Sequence, residues 1–333
     1  MRIKITILAL CIAVTGCAVP VDQSSFSVGR TGGDTSETFI SSRELLVSGL
    51  VSESLVFGSK GRLFDSEVRL RKALYLAPEN PSIAFNLAVV LGQQGHYEEA
   101  QGLLKKLQSK QGDQPRIMIA LADTHSSQGD FVKAREYLKV AYKAFYDASN
   151  FAQAGLVARS ISNLAFASGH DQEALCYSYE ALALVPTAPE LGTHASIMVG
   201  LNLYPQTWQF TDEQITLSPA LGAGPLVHHV RALAKGAMGD MPVALKESEM
   251  AQDLVTQDPE LTPEVNTVWF LLRREVPLPA EMEQEDRDAI EESYERMYPD
   301  VIRLKEKPTY SLLRWPATFH NLLERVQLGE YEM

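Results

Sequence analysis

The chain has 333 residues, of which 45% are hydrophobic and 22% are charged, and its formal net charge is −12. These proportions are typical of a soluble folded protein. The basic residues do not cluster, so the sequence carries no footprint of a nucleic-acid-binding surface, and we expect no nucleic-acid partner.

Residues 1–17 have the layout of a secretion signal. Arg2 and Lys4 precede an apolar run at 5–14, which is too short to span a bilayer comfortably, since that takes roughly 20 residues. The sequence Val14-Thr15-Gly16-Cys17 resembles the lipobox of bacterial lipoproteins, which implies cleavage before Cys17 and lipidation of this cysteine. A cleaved signal peptide with a chance cysteine is the alternative.

The resemblance to lipoproteins implies a membrane anchor with palmitate-type acyl chains, each methylene contributing roughly 0.8 kcal/mol. Loss of Arg2 and Lys4 with the signal peptide changes the net charge from −12 to −14, so lipid rather than charge must hold the protein. Ala18 follows the cysteine, where enteric bacteria use Asp to retain lipoproteins in the inner membrane. We therefore expect the periplasmic face of the outer membrane, with inner-membrane or other cell-surface anchoring as alternatives.

The three cysteines leave no intramolecular disulfide in the mature chain. Under the lipoprotein interpretation Cys11 would leave with the signal peptide and Cys17 would be lipidated, so only Cys176 would remain. Cys176 lies in a predicted helix between Leu175 and Tyr177, which favours a half-buried structural thiol over a nucleophile.

Residues 18–41 are rich in Ser, Thr, Gly and Asp and predict a flexible tether with a reach of roughly 25 Å. A helical pattern begins at 42, and over 47–148 the chain repeats every 34 residues. The repeat is carried by glycines, small residues and leucines: Gly61, Gly95 and Gly129; Ser54, Ala88 and Ala122; Leu70, Leu104 and Leu138. A fixed period of this length predicts a helical solenoid, in which small residues let two helices approach closely.

The order of these residues resembles the tetratricopeptide repeat (TPR). Asn86-Leu87-Ala88, Gly95, Tyr97 and Ala100 fill its slots in one unit, and equivalent residues fill them in the next. The resemblance implies an all-α, right-handed superhelix of helix-turn-helix units over 42–258. The units are 47–80, 81–114, 115–148, 155–188, a degenerate unit at 188–224, and 225–258.

Irregular segments interrupt this register. A six-residue insertion follows 148, and we expect it to lengthen the helix that carries Tyr142 to Phe151. The unit at 188–224 lacks the glycine and predicts helices at 191–203 and 206–217. Residues 259–333 do not repeat and predict helices near 263–274, 281–298 and 309–327, the last interrupted or capped by Pro316. The apolar cluster Trp269 to Leu272 is expected to contact the last repeat.

No catalytic motif is present, and we expect no enzyme, cofactor, metal or small-molecule substrate. His228 and His229 are neighbours on a helix and cannot face one another, which makes them a poor metal pair. His125 occupies a slot for a large packing residue. An enzymatic C-terminal region remains an alternative if polar groups converge on His320 in a deep pocket. The acidic helix at 281–295 predicts a solvated face, with a docking surface for a basic partner as the alternative.

In the TPR family the first helix of each unit lines the inner surface, at slots two, five, nine, twelve and thirteen. The resemblance therefore implies a partner-binding groove lined by Val51, Leu55, Phe85, Val89, Arg116, Ile119, Asp123, Arg159, Asn163 and Phe166. This lining is apolar at one end and mixed-polar at the other, which suits an extended or helical peptide.

The chain resembles bacterial TPR lipoproteins, and its layout is similar to that of the lipoprotein of tight-adherence (Flp) pilus machines and of secretin pilotins. The resemblance implies a lipid-anchored periplasmic scaffold that assists assembly of a pilus or secretion apparatus, with secretin or pilus subunits as partners. The alternative is an envelope adaptor that recruits peptidoglycan or outer-membrane assembly enzymes.

Overall fold

The computed structural model describes residues 42–255, 261–306 and 314–327. Within these ranges the regular structure is helical, which confirms the predicted all-α, TPR-type fold. The helices over 42–150 are α1 Ser42–Ser59, α2 Leu63–Leu76, α3 Pro81–Gln93, α4 Tyr97–Gln111, α5 Pro115–Ser127 and α6 Phe131–Asp147. The helices from 151 onward are α7 Phe151–Ala167, α8 Asp171–Leu184, α9 Ala188–Gly200, α10 Tyr204–Leu217, α11 Pro225–Ala237, α12 Met241–Leu254, α13 Thr262–Glu275, α14 Gln284–Glu306 and α15 Ala317–Gln327.

The described chain divides into two compact units, one ending at Asn150 and the other beginning at Phe151. In the first unit each repeat is a pair of packed helices, α1 with α2, α3 with α4, and α5 with α6. The small residues of the 34-residue pattern are buried where the helices meet, as Ala88, Ala100, Ala122 and Ala134 illustrate. Leu70, Leu104 and Leu138 are buried with them, so the repeat period is the period of the core.

The first helix of each of the six repeats over 42–255 ends in the same turn. A residue with positive φ breaks the helix, and the next N–H donates to the carbonyl five residues back, as in His96 to Leu91 at 2.9 Å and Asp240 to Lys235 at 3.0 Å. The positive-φ residues are Gly61, Gly95, Gly129, Gly169, Asn202 and Gly239. Asn202, at φ 61°, therefore replaces the glycine of the degenerate unit, because asparagine tolerates the left-handed region better than most residues.

The sequence predicted that the insertion after 148 lengthens a single helix through Phe151. The structure shows that it does not. Instead α6 ends at Asp147, Ser149 adopts φ 56°, and the Asn150 N–H donates to the Phe145 carbonyl at 2.9 Å. A new helix then begins at Phe151. Both α6 and α7 have 17 residues, against 15 in α4 and 13 in α5, so the extra residues are shared between two helices.

In the second unit the predicted cluster Trp269 to Leu272 is buried against α11 and α12, in a core that includes Val230 and Leu245. Helix α13 also packs with α14, so the C-terminal region adds a further helix pair. The helices predicted near 281–298 and 309–327 start later, at Gln284 and Ala317, and the first of them extends to Glu306. Pro316 precedes the last helix and its carbonyl accepts from the Phe319 N–H, so it caps the helix.

The predicted signal and lipobox at 1–17, with Cys17, and the tether at 18–41 lie outside the described residues. None of the helices within the described ranges has both the length and the apolar character needed to cross a membrane.

Candidate partner-binding groove

The predicted groove residues of the first two repeats form a partly accessible apolar surface. Val51 on α1 and Phe85 on α3 are buried, whereas Leu55 and Val89 are half-buried. The two half-buried side chains can therefore contact a partner directly, while Val51 and Phe85 support the surface from within.

The third repeat adds polar character to this surface. Arg116, Ile119 and Asp123 on α5 are all half-buried. The Arg116 guanidinium carbon lies 5.4 Å from the centroid of the Phe85 ring, and its Nε is 3.2 Å from the Gln114 side-chain oxygen. The cation–π contact places slot two of this repeat next to slot five of the preceding one. A partner here would meet an aliphatic strip flanked by a cation and a carboxylate.

In the second unit the guanidinium of Arg159, a predicted groove residue, is already engaged within the protein. Its Nη1 lies 2.8 Å from Oε1 of Glu190, whose side chain is only 3% exposed. The Thr187 hydroxyl donates to the other Glu190 oxygen. Arg159 is thus the counter-ion of a buried carboxylate from the next repeat. The repeat pattern did not predict this ion pair.

Asn163 and Phe166 are also more buried than a groove lining requires. Asn163 is 8% exposed, and its side-chain oxygen lacks a hydrogen-bond partner among the described residues. Phe166 is 1% exposed, and a Cβ added to Gly200 would lie 2.3 Å from its Cζ. Phe166 therefore belongs to the core, which corrects its predicted role as an accessible surface.

Part of the Phe166 surface is covered by a segment that sequence reasoning did not connect with the groove. The Arg314 guanidinium lies 4.1 Å from the Phe166 ring centroid, and its Nη2 donates to the Phe166 carbonyl at 2.9 Å. Arg314 lies three residues before the start of α15. The spacing of Phe319, Leu322 and Val326 marks α15 as amphipathic and could have predicted that it docks.

The histidines lie in packed positions. His125 is buried, stacks on Tyr137 with 5.5 Å between ring centroids, and has a pKa lowered mainly by burial. His194 donates to or accepts from the Ser178 hydroxyl at 2.8 Å, and burial lowers its pKa to about 4. These environments favour neutral packing side chains.

His228 and His229 point to different neighbours, as their adjacency on a helix requires. The two nitrogens of His228 lie 2.7 Å from Glu247 Oε2 and 2.7 Å from the Gly222 carbonyl. His229 is fully buried, its Nε2 is 3.9 Å from Glu264, and burial lowers its pKa to about 3. Over the ranges that the structure describes, no group of three His, Cys, Asp or Glu side chains is placed to hold a metal ion.

Cys176 and His320 are both more exposed than the sequence hypotheses about them require. Cys176 is exposed on α8, not half-buried, because α8 turns that side of the helix away from its partners. His320 is exposed on α15 beside Trp315, at 6.2 Å between ring centroids, and so does not lie in a deep pocket. That removes the observation on which an enzymatic C-terminal region depended.

The acidic residues of the C-terminal region are all exposed. They are Glu281, Glu283, Glu285, Asp286, Asp288, Glu291 and Glu292. Exposure agrees with a solvated face; docking of a basic partner on this face stays a prediction.

Paired helices, repeated glycine turns and a mixed inner surface define the class of this protein, a helical-repeat scaffold for protein–protein interaction. The tetratricopeptide repeat family model matches residues 61–117 and 93–159. These residues are similar to tetratricopeptide repeats, and the fold of the described chain is of this type. No curated protein matches the sequence.

Solved structures with this fold are similar to the chain at low sequence identity. PilF of Pseudomonas aeruginosa matches with a TM-score of 0.52 and 14% identity over 71% of this chain and 100% of its own. A TPR protein of Parabacteroides merdae matches with a TM-score of 0.54 and 15% identity over 85% and 99%. The apo form of RapI matches with a TM-score of 0.54 and 9% identity over 78% and 77%. Identities this low show the fold alone.

Proposed function

We propose that the protein is a lipid-anchored periplasmic scaffold that binds protein partners and assists assembly of an envelope machine, specifically a pilus or secretion apparatus. The observation that carries the binding role is the surface on α3 and α5. There, half-buried Val89 and Ile119 adjoin the Arg116–Phe85 contact. Such a surface can bury aliphatic side chains of a peptide while the cation orients its carbonyls or carboxylates.

The envelope location rests on the sequence of residues 14–18. Lipidation of Cys17 would tether the scaffold, and Ala18 favours the outer membrane. The 24 residues at 18–41 would let the folded body reach partners some distance from the membrane.

The choice of machine rests on the layout shared with pilus-biogenesis lipoproteins, and PilF is a fold neighbour that agrees with it. The second candidate is an adaptor for peptidoglycan or outer-membrane assembly enzymes, which would use the same surface. The identity of the captured proteins separates the two.

The test is a crosslinking pull-down from intact envelopes with an Arg116→Glu, Ile119→Asp double variant. These residues are preferable to Phe85 and Arg159, whose substitution would disturb the core and a buried ion pair. Val140→Asp is the matched control, because Val140 is exposed on α6, a second helix of its repeat.

Secretin or pilus subunits captured by the native protein and by the Val140→Asp control, but lost with the double variant, would support the proposal. Capture of peptidoglycan enzymes would favour the adaptor. Partners retained by the double variant would show that this surface does not bind them.

The anchor is tested separately by Cys17→Ser, with Cys176→Ser as the control. We expect mass spectrometry of the native protein and the control to show a cleaved, acylated N-terminus, and the Cys17→Ser variant to leave the membrane fraction. An unmodified cysteine at 17 in the native protein would contradict the anchor.

A further inference from the structure

The last described helix, α15, is an amphipathic helix of 11 residues whose apolar face is packed against the rest of the second unit. Phe319, Leu322 and Val326 are buried, at the spacing i, i+3 and i+7 of one helix face. His320, Asn321 and Glu324 on the other sides are exposed. The helix packs on α11 and α13, each the first helix of its pair.

Phe319 approaches the backbone of α11 closely at Gly236. A Cβ added to Gly236 would lie 2.5 Å from Cζ and 2.8 Å from Cε2 of Phe319. The phenyl ring therefore rests directly on the backbone of α11, which only a glycine permits. Phe319 is 0% exposed in this seat.

Gly236 occupies the groove slot that Phe166 occupies two repeats earlier. Each lies three residues before the positive-φ glycine that ends its helix, Gly239 and Gly169 respectively. Arg314 covers Phe166 and Phe319 covers Gly236. The segment 314–327 thus lies against α7, α11 and α13, each the first helix of its pair in the second unit.

Polar contacts hold both ends of the segment. Arg314 Nη1 lies 3.4 Å from Asp171 Oδ1, in addition to its contacts with Phe166. Near the other end Arg325 Nη1 lies 2.9 Å from Glu275 Oε1 of α13. Both pairs are solvent-accessible and contribute little to stability, so the apolar face supplies most of the docking free energy.

A helix as short as α15 is marginal in water, because nucleation costs more than its few hydrogen bonds return. Its order depends on the groove. Phe319, Leu322 and Val326 join the core cluster that includes Val268 and Leu272, so undocking would expose part of that apolar surface unless another helix covered it. The groove therefore has the shape and lining for an amphipathic helix, and the chain itself supplies one.

We propose that the surface formed by α7, α11 and α13 is a docking site for an amphipathic helix of a partner protein, and that α15 holds this site closed until the partner displaces it. The partner helix would carry the chemistry of α15: an aromatic residue seated on Gly236, aliphatic residues three and seven positions on, and a basic residue five positions before. The inference rests on the proposed function as a scaffold and names the regulation of its second unit. Because α15 competes, a partner would bind only the undocked fraction of the protein.

The test uses the full chain and a fluorescein-labelled synthetic peptide of residues 314–327, followed by fluorescence anisotropy. Phe319→Asp should undock α15 while leaving the groove intact, and we expect the peptide to bind this variant roughly tenfold or more tightly than the native chain. Adding Gly236→Leu fills the space that the Phe319 ring occupies over Gly236 and should abolish this binding. Asn321→Ala, on the exposed face, should behave as the native chain does.

Hydrogen exchange of residues 317–327 measures the release of α15 in each variant. Fast exchange there without peptide binding would overturn the proposal and make α15 a structural cap. Should Phe319→Asp unfold the unit, Arg314→Ala decides between the two roles of α15. A rise in peptide affinity without loss of fold would support the proposal, whereas unchanged affinity would overturn it and make α15 part of the fold.

Light scattering of the native chain tests whether α15 of a second copy, instead of a partner helix, occupies the groove. A monomer agrees with the proposal, whereas a dimer with exchanged α15 helices would assign the groove to a second copy and overturn the partner helix. These measurements need no envelope partner, so they can succeed or fail independently of the pull-down, which examines the surface on α3 and α5.

Discussion

Arg159 and Glu190 form an ion pair between α7 and α9, with 2.8 Å between Nη1 and Oε1 and with the carboxylate almost fully buried. Removing one partner leaves the other charge buried and unpaired, which destabilises proteins by about 3–5 kcal/mol. We therefore expect Arg159→Ala to reduce the free energy of unfolding of the second unit by that order.

All three tryptophans, Trp208, Trp269 and Trp315, lie in the second unit, so urea titration followed by their fluorescence measures this loss. Lys143→Ala is the control, because the Lys143–Asp147 pair is exposed, and circular dichroism should show no measurable change. An Arg159→Ala variant as stable as the native chain would show that the pair does not support the fold.

Asn202 stands in for a glycine, and its left-handed backbone predicts the effect of substitution. Asn202→Ala should be about 1 kcal/mol less stable than Asn202→Gly, because a Cβ is strained at φ 61°. Both variants lose the hydrogen bond from the Tyr204 hydroxyl, so their difference isolates the backbone term. Equal urea midpoints for Ala and Gly would contradict the assigned turn.

Two buried histidines should make the second unit acid-sensitive. Burial lowers the pKa of His194 to about 4 and of His229 to about 3, from an unfolded value near 6.5. The unfolded chain therefore binds protons first, and stability falls as the pH drops below 6.5. The loss approaches about 1.4 kcal/mol per pH unit for each histidine and continues to about pH 4 for His194.

Urea midpoints between pH 7 and pH 5 test this dependence, in a range where most carboxylates remain ionised. A His194→Phe, His229→Leu double variant should show a flatter profile, whatever its absolute stability. A native profile already flat between pH 6.5 and pH 5 would mean that both histidines titrate normally in the folded protein.

The exposed thiol of Cys176 gives a direct test of the α8 orientation. In the purified mature protein we expect one thiol to react with a disulfide reagent as fast as a free cysteine, without denaturant. Cys176→Ser should remove that reaction and leave stability unchanged. Slow labelling that accelerates only in urea would restore the half-buried thiol inferred from sequence.

The sequence by itself determined the helical fold and its repeats over 47–148. Those features are local: the 34-residue period follows from small residues at helix contacts and glycines at turns, and each repeat contacts mainly its neighbours. It also correctly predicted burial of Trp269 to Leu272 from their apolar density. The sequence did not predict the role of Asn202, because asparagine can adopt the left-handed conformation but most asparagines do not.

Only the tertiary structure decided which groove positions are free. Arg159 fills its predicted slot, yet Glu190 neutralises it; Phe166 fills its slot, yet Gly200 and Arg314 cover it. Phe319 contacts Gly236, which lies 83 positions earlier in the sequence. Such pairings join segments outside the repeat, so no period encodes them, and they are selected by the shape and charge complementarity that folding brings together.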